Sequence, residues 1–197
     1  MTVPLEFENS IPLRMKNRSF IKAAFVAICM SLIWPINKAN AGDVIETSGT
    51  VLAVALTVAA GGLTYDKQDA SGRLQLVEAL AATAGVTYGL KYSIDETRPN
   101  GGAHSFPSGH TSVSFAAADF IERRYGWDYG IPAYLAASFV GYSRVEAKAH
   151  YTHDVLAGAA IGILSNALFT TRFNGGGMKV SGMTAGDGYG MRLSCAW

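Results

Sequence analysis

Long apolar stretches separated by short polar breaks dominate the chain from residue 42 onward. Five stretches rich in Ala, Leu and Val run over 47–64, 74–90, 111–121, 131–145 and 155–169. Stretches of this length favour helices over strands. The pattern therefore predicts an all-α helical bundle over residues 42–173.

The segments between these stretches contain turn-forming residues. Residues 98–109 hold two Pro, three Gly and two Ser, which is typical of a loop. Another break covers 126–132, and Pro132 is predicted in the first turn of a helix. After the Gly-rich segment 174–177, residues 178–183 and 189–193 resemble two short strands. The tail 174–197 is therefore predicted to form a β-hairpin.

The first 41 residues have the three parts of a secretory signal. Lys16, Arg18 and Lys22 precede an apolar run of 12 residues over 23–34, and Ala39-Asn40-Ala41 follows it. We expect cleavage after Ala41 and a periplasmic mature protein. The alternative is an uncleaved membrane anchor, for which the run is short because a span needs about 20 residues.

Charged residues inside the apolar stretches bear on the membrane question. Glu78 and Asp119 lie within the second and third stretches, and a charge inside a span costs about 2.5–3.5 kcal/mol. This favours an exported bundle that is soluble or associated with the membrane surface. The alternative is an integral inner-membrane protein with six spans, the first over residues 20–36.

The composition excludes several classes of protein. Of 197 residues, 49% are hydrophobic and 16% are charged, which excludes disorder. The net charge of +1 gives no basic excess, so we do not expect nucleic-acid binding. The chain contains only two cysteines, which excludes a disulfide-rich scaffold. The sequence carries no signal for an oligomeric state.

Three short blocks hold most of the informative polar residues. In the first, Lys91 ends an apolar stretch and Arg98 precedes a proline, which biases Arg98 toward an extended turn. These two cations are able to bind one anion, although solvated surface positions would explain them equally.

The second block, Pro107-Ser108-Gly109-His110, leads into an apolar helix. Ser108 is a suitable helix cap, and the free N–H groups of a first helical turn bind phosphate. Gly109 would let an anion approach the backbone closely, and His110 would lie beside that anion. A plain helix cap with an exposed histidine is the alternative.

The third block runs from Ser143 to Asp154. His150 and Asp154 are four residues apart and are predicted to share one helix face. A carboxylate that holds one imidazole nitrogen leaves the other free as a nucleophile. Arg144 is expected to enter from the preceding turn. His153 is predicted to point away from Asp154, and His104 has no assigned partner.

The order and spacing of the three blocks are more specific than any block alone. Lys-x6-Arg-Pro, Pro-Ser-Gly-His and Ser-Arg-x5-His-x3-Asp together resemble the type 2 phosphatidic acid phosphatase superfamily, whose relatives include acid phosphatases and vanadium haloperoxidases. The resemblance covers residues 91–154 by motif and 44–169 more loosely.

The resemblance implies a role for each residue. His150 would attack phosphorus and form a phosphohistidine, Asp154 would orient it, and His110 would protonate the leaving oxygen. The phosphoryl oxygens would be bound by Lys91, Arg98, Ser108, Gly109 and Arg144. No cofactor or metal is implied, and the sequence contains no cluster spaced for zinc or calcium.

The expected function is hydrolysis of phosphate monoesters or pyrophosphates, with phosphorylated lipids favoured over small esters because the helices are apolar. Candidate substrates are phosphatidic acid, phosphatidylglycerol phosphate, undecaprenyl pyrophosphate and the phosphates of lipid A. The alternatives are a phosphotransferase between lipids, a vanadium haloperoxidase and a non-catalytic membrane-associated protein.

Overall fold

The structure, a computed structural model, describes residues 41–173, 179–185 and 188–194. Five helices occupy the first range: α1 (Ala41–Asp66), α2 (Ala70–Ser93), α3 (Gly109–Tyr125), α4 (Trp127–Glu146) and α5 (Thr152–Phe169). Each helix contains one of the five apolar stretches, so the predicted all-α bundle is confirmed.

Local sequence signals set the helix boundaries. Asp69 caps α2, because its side chain accepts a hydrogen bond of 2.8 Å from the backbone nitrogen of Gly72. Gly126, with φ of +92°, separates α3 from α4 in a conformation that favours glycine. Pro132 lies inside α4, and its predicted place in the first turn is wrong because the helix already begins at Trp127.

Helix α3 is the centre of the bundle. Ten of its 17 residues are buried, and it packs against the other four helices. Phe120 on α3 and Leu56 on α1 are the largest apolar side chains that are completely buried. Around them the core consists mainly of alanines, which lets the helices pack closely.

Two glycines on one face of α5 allow this helix to approach α3. A β-carbon on Gly158 would lie 2.6 Å from the carbonyl oxygen of Ser108, and one on Gly162 would lie 2.6 Å from the nitrogen of Ala116. Residues four apart share a helix face. The glycines therefore let α5 pack closely against the first two turns of α3.

A buried ion pair joins α3 to the connection between α1 and α2. The guanidinium of Arg124 donates to both carboxylate oxygens of Asp69, at 2.7 and 2.6 Å. Tyr125 also donates to Asp69, at 3.0 Å, and Arg124 donates to the carbonyl of Thr171 at 2.8 Å. This cluster joins the C-terminal end of α3 to the α1–α2 connection and to the residues that follow α5.

The predicted C-terminal hairpin is present. Strands β1 (Lys179–Ala185) and β2 (Gly188–Ser194) pair antiparallel, with Lys179 opposite Ser194. The predicted secretory signal over residues 1–41 lies outside the described residues, apart from Ala41 at the start of α1.

The outer surface of the helices is rich in apolar side chains. Val58 is 67% exposed, Leu135 68% and Leu168 81%. Within the described residues, Gly42–Asp66 and Thr152–Phe169 are long and apolar enough to cross a membrane. Asp119 does not face outward: it is buried and accepts hydrogen bonds of 2.5 Å from Arg123 and Tyr134. The charge of Asp119 is therefore no argument against a membrane environment, whereas Glu78, the other charge in the apolar stretches, is exposed on α2.

Candidate active site

A cavity of about 560 Å³ lies where α3 and α5 begin and α2 and α4 end. Six of the eight predicted site residues line it: Lys91, Arg98, Gly109, His110, Arg144 and His150. Residues more than 50 positions apart in sequence therefore meet in one space, as the three blocks predicted. Asp154 and Ser108 lie behind this lining.

His150 is held by its ring and by its backbone. Its Nδ1 lies 3.3 Å from Oδ2 of Asp154, and its backbone nitrogen donates to the carbonyl of Arg144 at 3.2 Å. An ionised carboxylate only accepts hydrogen bonds, so Nδ1 carries the proton and Nε2 carries the lone pair. The predicted orienting contact between these residues is present.

The contact does not arise from a shared helix face, and that part of the prediction is wrong. His150 precedes α5, which begins at Thr152, whereas Asp154 lies in the first turn. Oδ2 of Asp154 also accepts from the backbone nitrogen of Tyr151 at 2.9 Å and from Ser105 Oγ at 2.5 Å. Asp154 therefore caps α5 and positions His150 with the same oxygen.

The surroundings of His150 favour its neutral form. Burial, together with the positive charges of Arg98 and Lys91, lowers the pKa of His150 from 6.5 to about 4, while the hydrogen bond with Asp154 acts in the opposite direction. Nε2 is consequently available as a nucleophile at neutral pH.

His110 and Gly109 form the first turn of α3 and line the same cavity as His150. The first N–H groups of a helix have no intrahelical acceptor, and the helix dipole attracts anions to this end. The turn is therefore able to bind a phosphate group, with His110 within the same cavity.

Ser108 departs from the prediction. It occupies the N-cap position of α3, but its side chain does not cap the backbone. Its hydroxyl instead accepts from Thr111 Oγ1 at 3.0 Å, and the residue is completely buried. The close approach of Gly158 to the Ser108 carbonyl explains this burial. Ser108 therefore does not line the cavity, and the part of the wall that α3 forms starts one residue later, at Gly109.

Lys91 and Arg98 approach the cavity from the end of α2 and from the loop after it. Lys91 Nζ donates to the carbonyls of His104 and Ser105, at 2.8 and 3.3 Å. Arg98 Nε donates to the carbonyl of Ala103 at 3.1 Å. Each side chain keeps further N–H donors, so the loop orients two cations that are still able to bind a ligand.

Arg144, in the last turn of α4, is buried and anchored to α1. Its guanidinium donates to the backbone oxygen of Glu46, to Thr50 Oγ1 at 3.3 Å and to Ser143 Oγ at 3.1 Å. Glu46 Oε1 also lies 3.8 Å from Arg144 Nη1. Arginine has five N–H donors, so Arg144 keeps donors for an anion in the cavity.

His153 does not point away from Asp154, and this prediction is wrong. Its Nε2 lies 3.1 Å from Oδ1 of Asp154 and 2.8 Å from Glu96 Oε1, and its ring stacks on that of Tyr151 just before α5. Glu96, His153 and Asp154 thus offer three ligand atoms within 4.8 Å of one another. The hydrogen bond with Glu96 and the ring stacking explain this arrangement without an ion.

Sequence reasoning missed three site residues. Ser105 holds Asp154, Glu46 lines the cavity, and Thr50 fixes Arg144. Ser105 lies two residues before the second block, and nothing in the sequence indicated its partner. Glu46 and Thr50 belong to α1, which precedes all three blocks.

The cavity is lined by apolar as well as charged side chains. The apolar ones belong to α1, α2 and α3 and include Ala53, Val54, Val58, Ala84 and Val113. Val54 and Val58 lie about two and three turns along α1 from Glu46, and Ala84 lies about two turns before Lys91. The apolar lining therefore extends away from the charged end, which suits a phosphate, as a groove that suits a hydrocarbon chain.

Comparisons with known proteins agree with this architecture. A lipid A 1-phosphatase from Porphyromonas gingivalis is 41% identical over 104 residues, which are 49% of this chain and 23% of that protein. A lipid A 4'-phosphatase from Helicobacter pylori is 30% identical over 172 residues, or 78% of this chain and 84% of that protein. The chain thus spans less than a quarter of the first relative and most of the second.

A solved structure shows the same fold. The transmembrane PAP2-type phosphatidylglycerolphosphate phosphatase from Bacillus subtilis superposes with a TM-score of 0.55 and 24% identity, over 76% of this chain and 84% of that one. Fold, site and relatives together define a helical phosphoric ester hydrolase. Residues 72–175 match the profile of the PAP2 superfamily, and the chain belongs to this superfamily. The predicted family, fold and enzyme class are confirmed.

Proposed function

We propose that the protein removes phosphate from a phosphorylated membrane lipid through a phosphohistidine on His150. One observation carries this proposal: His150, His110, Lys91, Arg98 and Arg144 line a single cavity that continues into an apolar groove. The cavity thus combines a nucleophile, a proton donor, three cations and room for a lipid chain.

In the first step, Nε2 of His150 attacks phosphorus. The new N–P bond forms as the bond between phosphorus and the ester oxygen breaks, and His110 gives its proton to that oxygen. Lys91, Arg98 and Arg144 stabilise the charge on the three equatorial oxygens, as phosphoryl transfer requires. Asp154 stabilises the positive charge that develops on the ring of His150.

In the second step, water attacks the phosphohistidine. His110, now neutral, takes a proton from the water while the N–P bond breaks, which releases inorganic phosphate and restores both rings. An uncatalysed phosphomonoester reacts so slowly that the site must supply on the order of 20 kcal/mol or more. A covalent intermediate divides this barrier between two easier steps.

The substrate class follows from the apolar groove and the relatives. Four similar proteins are named as lipid A phosphatases, and lipid A phosphates are attached to sugars that carry several acyl chains. The groove beside the cations offers Val54, Val58 and Val113 to such a chain. A phosphate monoester on a glycolipid of this kind is the substrate that we propose.

We also propose that the helical bundle is embedded in a membrane. Outward-facing Val, Leu, Ile and Phe side chains occur on α1, α2, α4 and α5, and large exposed apolar patches mark membrane or protein contacts. Exposed aromatic residues lie near the helix ends, at Tyr65, Tyr92, Trp127 and Tyr142. In membrane proteins, Tyr and Trp are enriched where the helix ends reach the interface between membrane and water.

Phosphate release by the purified protein tests the proposed function. The panel is lipid A, phosphatidylglycerol phosphate, phosphatidic acid and a soluble aryl phosphate, each in detergent micelles. We expect lipid A to be hydrolysed with the highest kcat/KM and His150→Ala to lose at least about 10³-fold. Circular dichroism of the variant checks that its helices remain folded.

Trapping tests the intermediate separately. The His110→Ala variant, given a radiolabelled aryl phosphate whose leaving oxygen needs no protonation, should retain acid-labile label on the protein, and the double variant with His150→Ala should retain none. Label that survives the loss of His150 would refute the phosphohistidine. Absence of phosphate release from every ester of the panel would refute the phosphatase.

A further inference from the structure

Glu46 is a carboxylate in a cavity built to receive an anion. It lies in the first turns of α1 and lines the cavity together with Lys91, Arg98 and Arg144. Among the described residues that line this cavity, it is the only acidic one. A negative charge here weakens phosphate binding, so its presence calls for an explanation.

The Glu46 carboxylate lines the cavity and is also partly open to solvent. Oε1 of Glu46 lies 3.8 Å from Nη1 of Arg144, and the side chain of Glu46 is 48% exposed while Arg144 is 2% exposed. Arg144 does not need this carboxylate for its position, because the backbone oxygen of Glu46 and the hydroxyls of Thr50 and Ser143 already accept from the guanidinium. The Glu46 carboxylate is therefore not needed to hold Arg144, and it lines the cavity in which a ligand would bind.

We infer that Glu46 determines substrate specificity by selecting phosphate monoesters against pyrophosphates. The inference rests on the proposed phosphatase function. When one phosphoryl group occupies the cations beside His150, a second phosphate would share the cavity with the Glu46 carboxylate, and like charges repel at short range. A hydroxyl or ammonium group of a sugar headgroup would instead donate a hydrogen bond to it.

Selection of this kind acts mainly through rejection. Specificity is a difference between two affinities, and an unpaired or repelled charge increases that difference. Since the cations bind the reacting phosphoryl group in either substrate, Glu46 should change the ratio between substrates more than it changes turnover of the monoester.

Two substrates that share one hydrocarbon chain isolate this effect. Farnesyl phosphate and farnesyl pyrophosphate, presented in the same detergent micelles, differ only in the second phosphate. We expect the wild type to prefer the monophosphate. Glu46→Gln should raise kcat/KM for pyrophosphate relative to monophosphate by about tenfold, mainly through KM, and Glu46→Asp should restore most of the preference.

A matched control removes the same charge from the same helix. Asp43 lies three residues before Glu46, is exposed and does not line the cavity. Asp43→Asn should leave the ratio unchanged. An equal change in both variants would mean that the net charge of α1, and not Glu46, sets the preference, and the inference would be wrong.

Binding gives a measurement that does not depend on turnover. The increase in thermal stability caused by inorganic phosphate and by inorganic pyrophosphate yields two apparent Kd values. Glu46→Gln should tighten pyrophosphate about tenfold more than phosphate. Equal tightening of both would show that Glu46 acts only through Arg144 and would overturn the inference, even where phosphatase activity is intact. Failure of the proposed function would appear differently, as a wild type that binds both anions without hydrolysing any ester.

Discussion

Arg144 occupies the space that a side chain on Gly49 would need. A β-carbon at Gly49 would lie 2.6 Å from Arg144 Nη2 and 2.7 Å from Ser143 Cβ. Helix α1 therefore approaches α4 closely only because this position is glycine. The same contact brings Thr50 and the backbone of Glu46 within hydrogen-bond distance of the guanidinium.

The first prediction follows from this contact. Gly49→Ala should displace the guanidinium of Arg144 and lower kcat/KM by at least about tenfold, because small displacements of a charge-stabilising group are costly to catalysis. Gly61→Ala is the control: it lies on the same helix, and a β-carbon there meets nothing within 4 Å. Equal kcat/KM for both variants, measured on the preferred lipid, would contradict this account.

The second prediction concerns pH. Only neutral His150 has a lone pair on Nε2, and its pKa is lowered to about 4. As pH falls, kcat/KM for a soluble aryl phosphate should therefore decline with an apparent pKa near 4 rather than near 6.5. Lys91→Gln removes one of the nearby positive charges and should move this decline to higher pH. A decline near pH 6.5 in the wild type would show that burial and the nearby cations do not lower the pKa of His150.

The third prediction concerns stability at the opposite end of the bundle. Burial acts to raise the pKa of Asp69, but hydrogen bonds from Arg124, Gly72 and Tyr125 outweigh it and lower the pKa from 3.8 to about 2. A carboxyl group with a lowered pKa stabilises the fold fully above its unfolded value, and this stability is lost as pH falls through the folded value. The free energy of unfolding should thus decrease between pH 4 and pH 2.

The Asp69→Asn variant tests, at constant pH, how much the ionised Asp69 carboxylate stabilises the fold. Breaking a buried ion pair costs about 3–5 kcal/mol, so the variant should be strongly destabilised at pH 7 and should lose much of the decrease below pH 4. Asp95→Asn, at an exposed position, should be close to wild type. Chemical unfolding in detergent, followed by circular dichroism, provides the measurement.

The fourth prediction concerns the contact between α3 and α5. Gly158→Ala would place a β-carbon 2.6 Å from the backbone oxygen of Ser108, and overpacking of this kind costs about 1–3 kcal/mol. Gly85→Ala, on α2 with nothing within 4 Å, should instead be neutral or stabilising by about 0.5–1 kcal/mol. A Gly158→Ala variant as stable as Gly85→Ala would disprove close packing at this site.

Much of the site was predictable from sequence because its residues occur in short blocks of fixed spacing. Lys91, Arg98, His110 and Arg144 line the cavity as predicted, and His150 contacts Asp154. The helices were predictable because long apolar stretches separated by Gly, Pro and polar residues leave few alternatives. The residue at which α5 begins was not predictable. A spacing of four between His150 and Asp154 fits a helix that includes both residues, whereas α5 begins between them, at Thr152.

The rest depends on tertiary contacts that no local pattern shows. Ser108 appeared suited to cap α3, but packing of α5 against it buried the hydroxyl and gave it Thr111 as a partner. Glu46 lies about 45 residues before Lys91, and only the packing of α1 against α4 brings it to the cavity. In the sequence, the charge of Asp119 was evidence against a membrane span. In the structure, Asp119 is buried inside the bundle and accepts a hydrogen bond from Tyr134.

Asp154 uses one oxygen both to begin α5 and to hold the ring of His150. Under the proposed function, folding and catalysis impose the same demand at this position. A related chain without phosphatase activity would still need an acceptor here to start the helix, whereas only the proposed chemistry requires an imidazole at residue 150. We therefore expect diverged relatives that lack phosphatase activity to keep an aspartate at 154 more often than a histidine at 150.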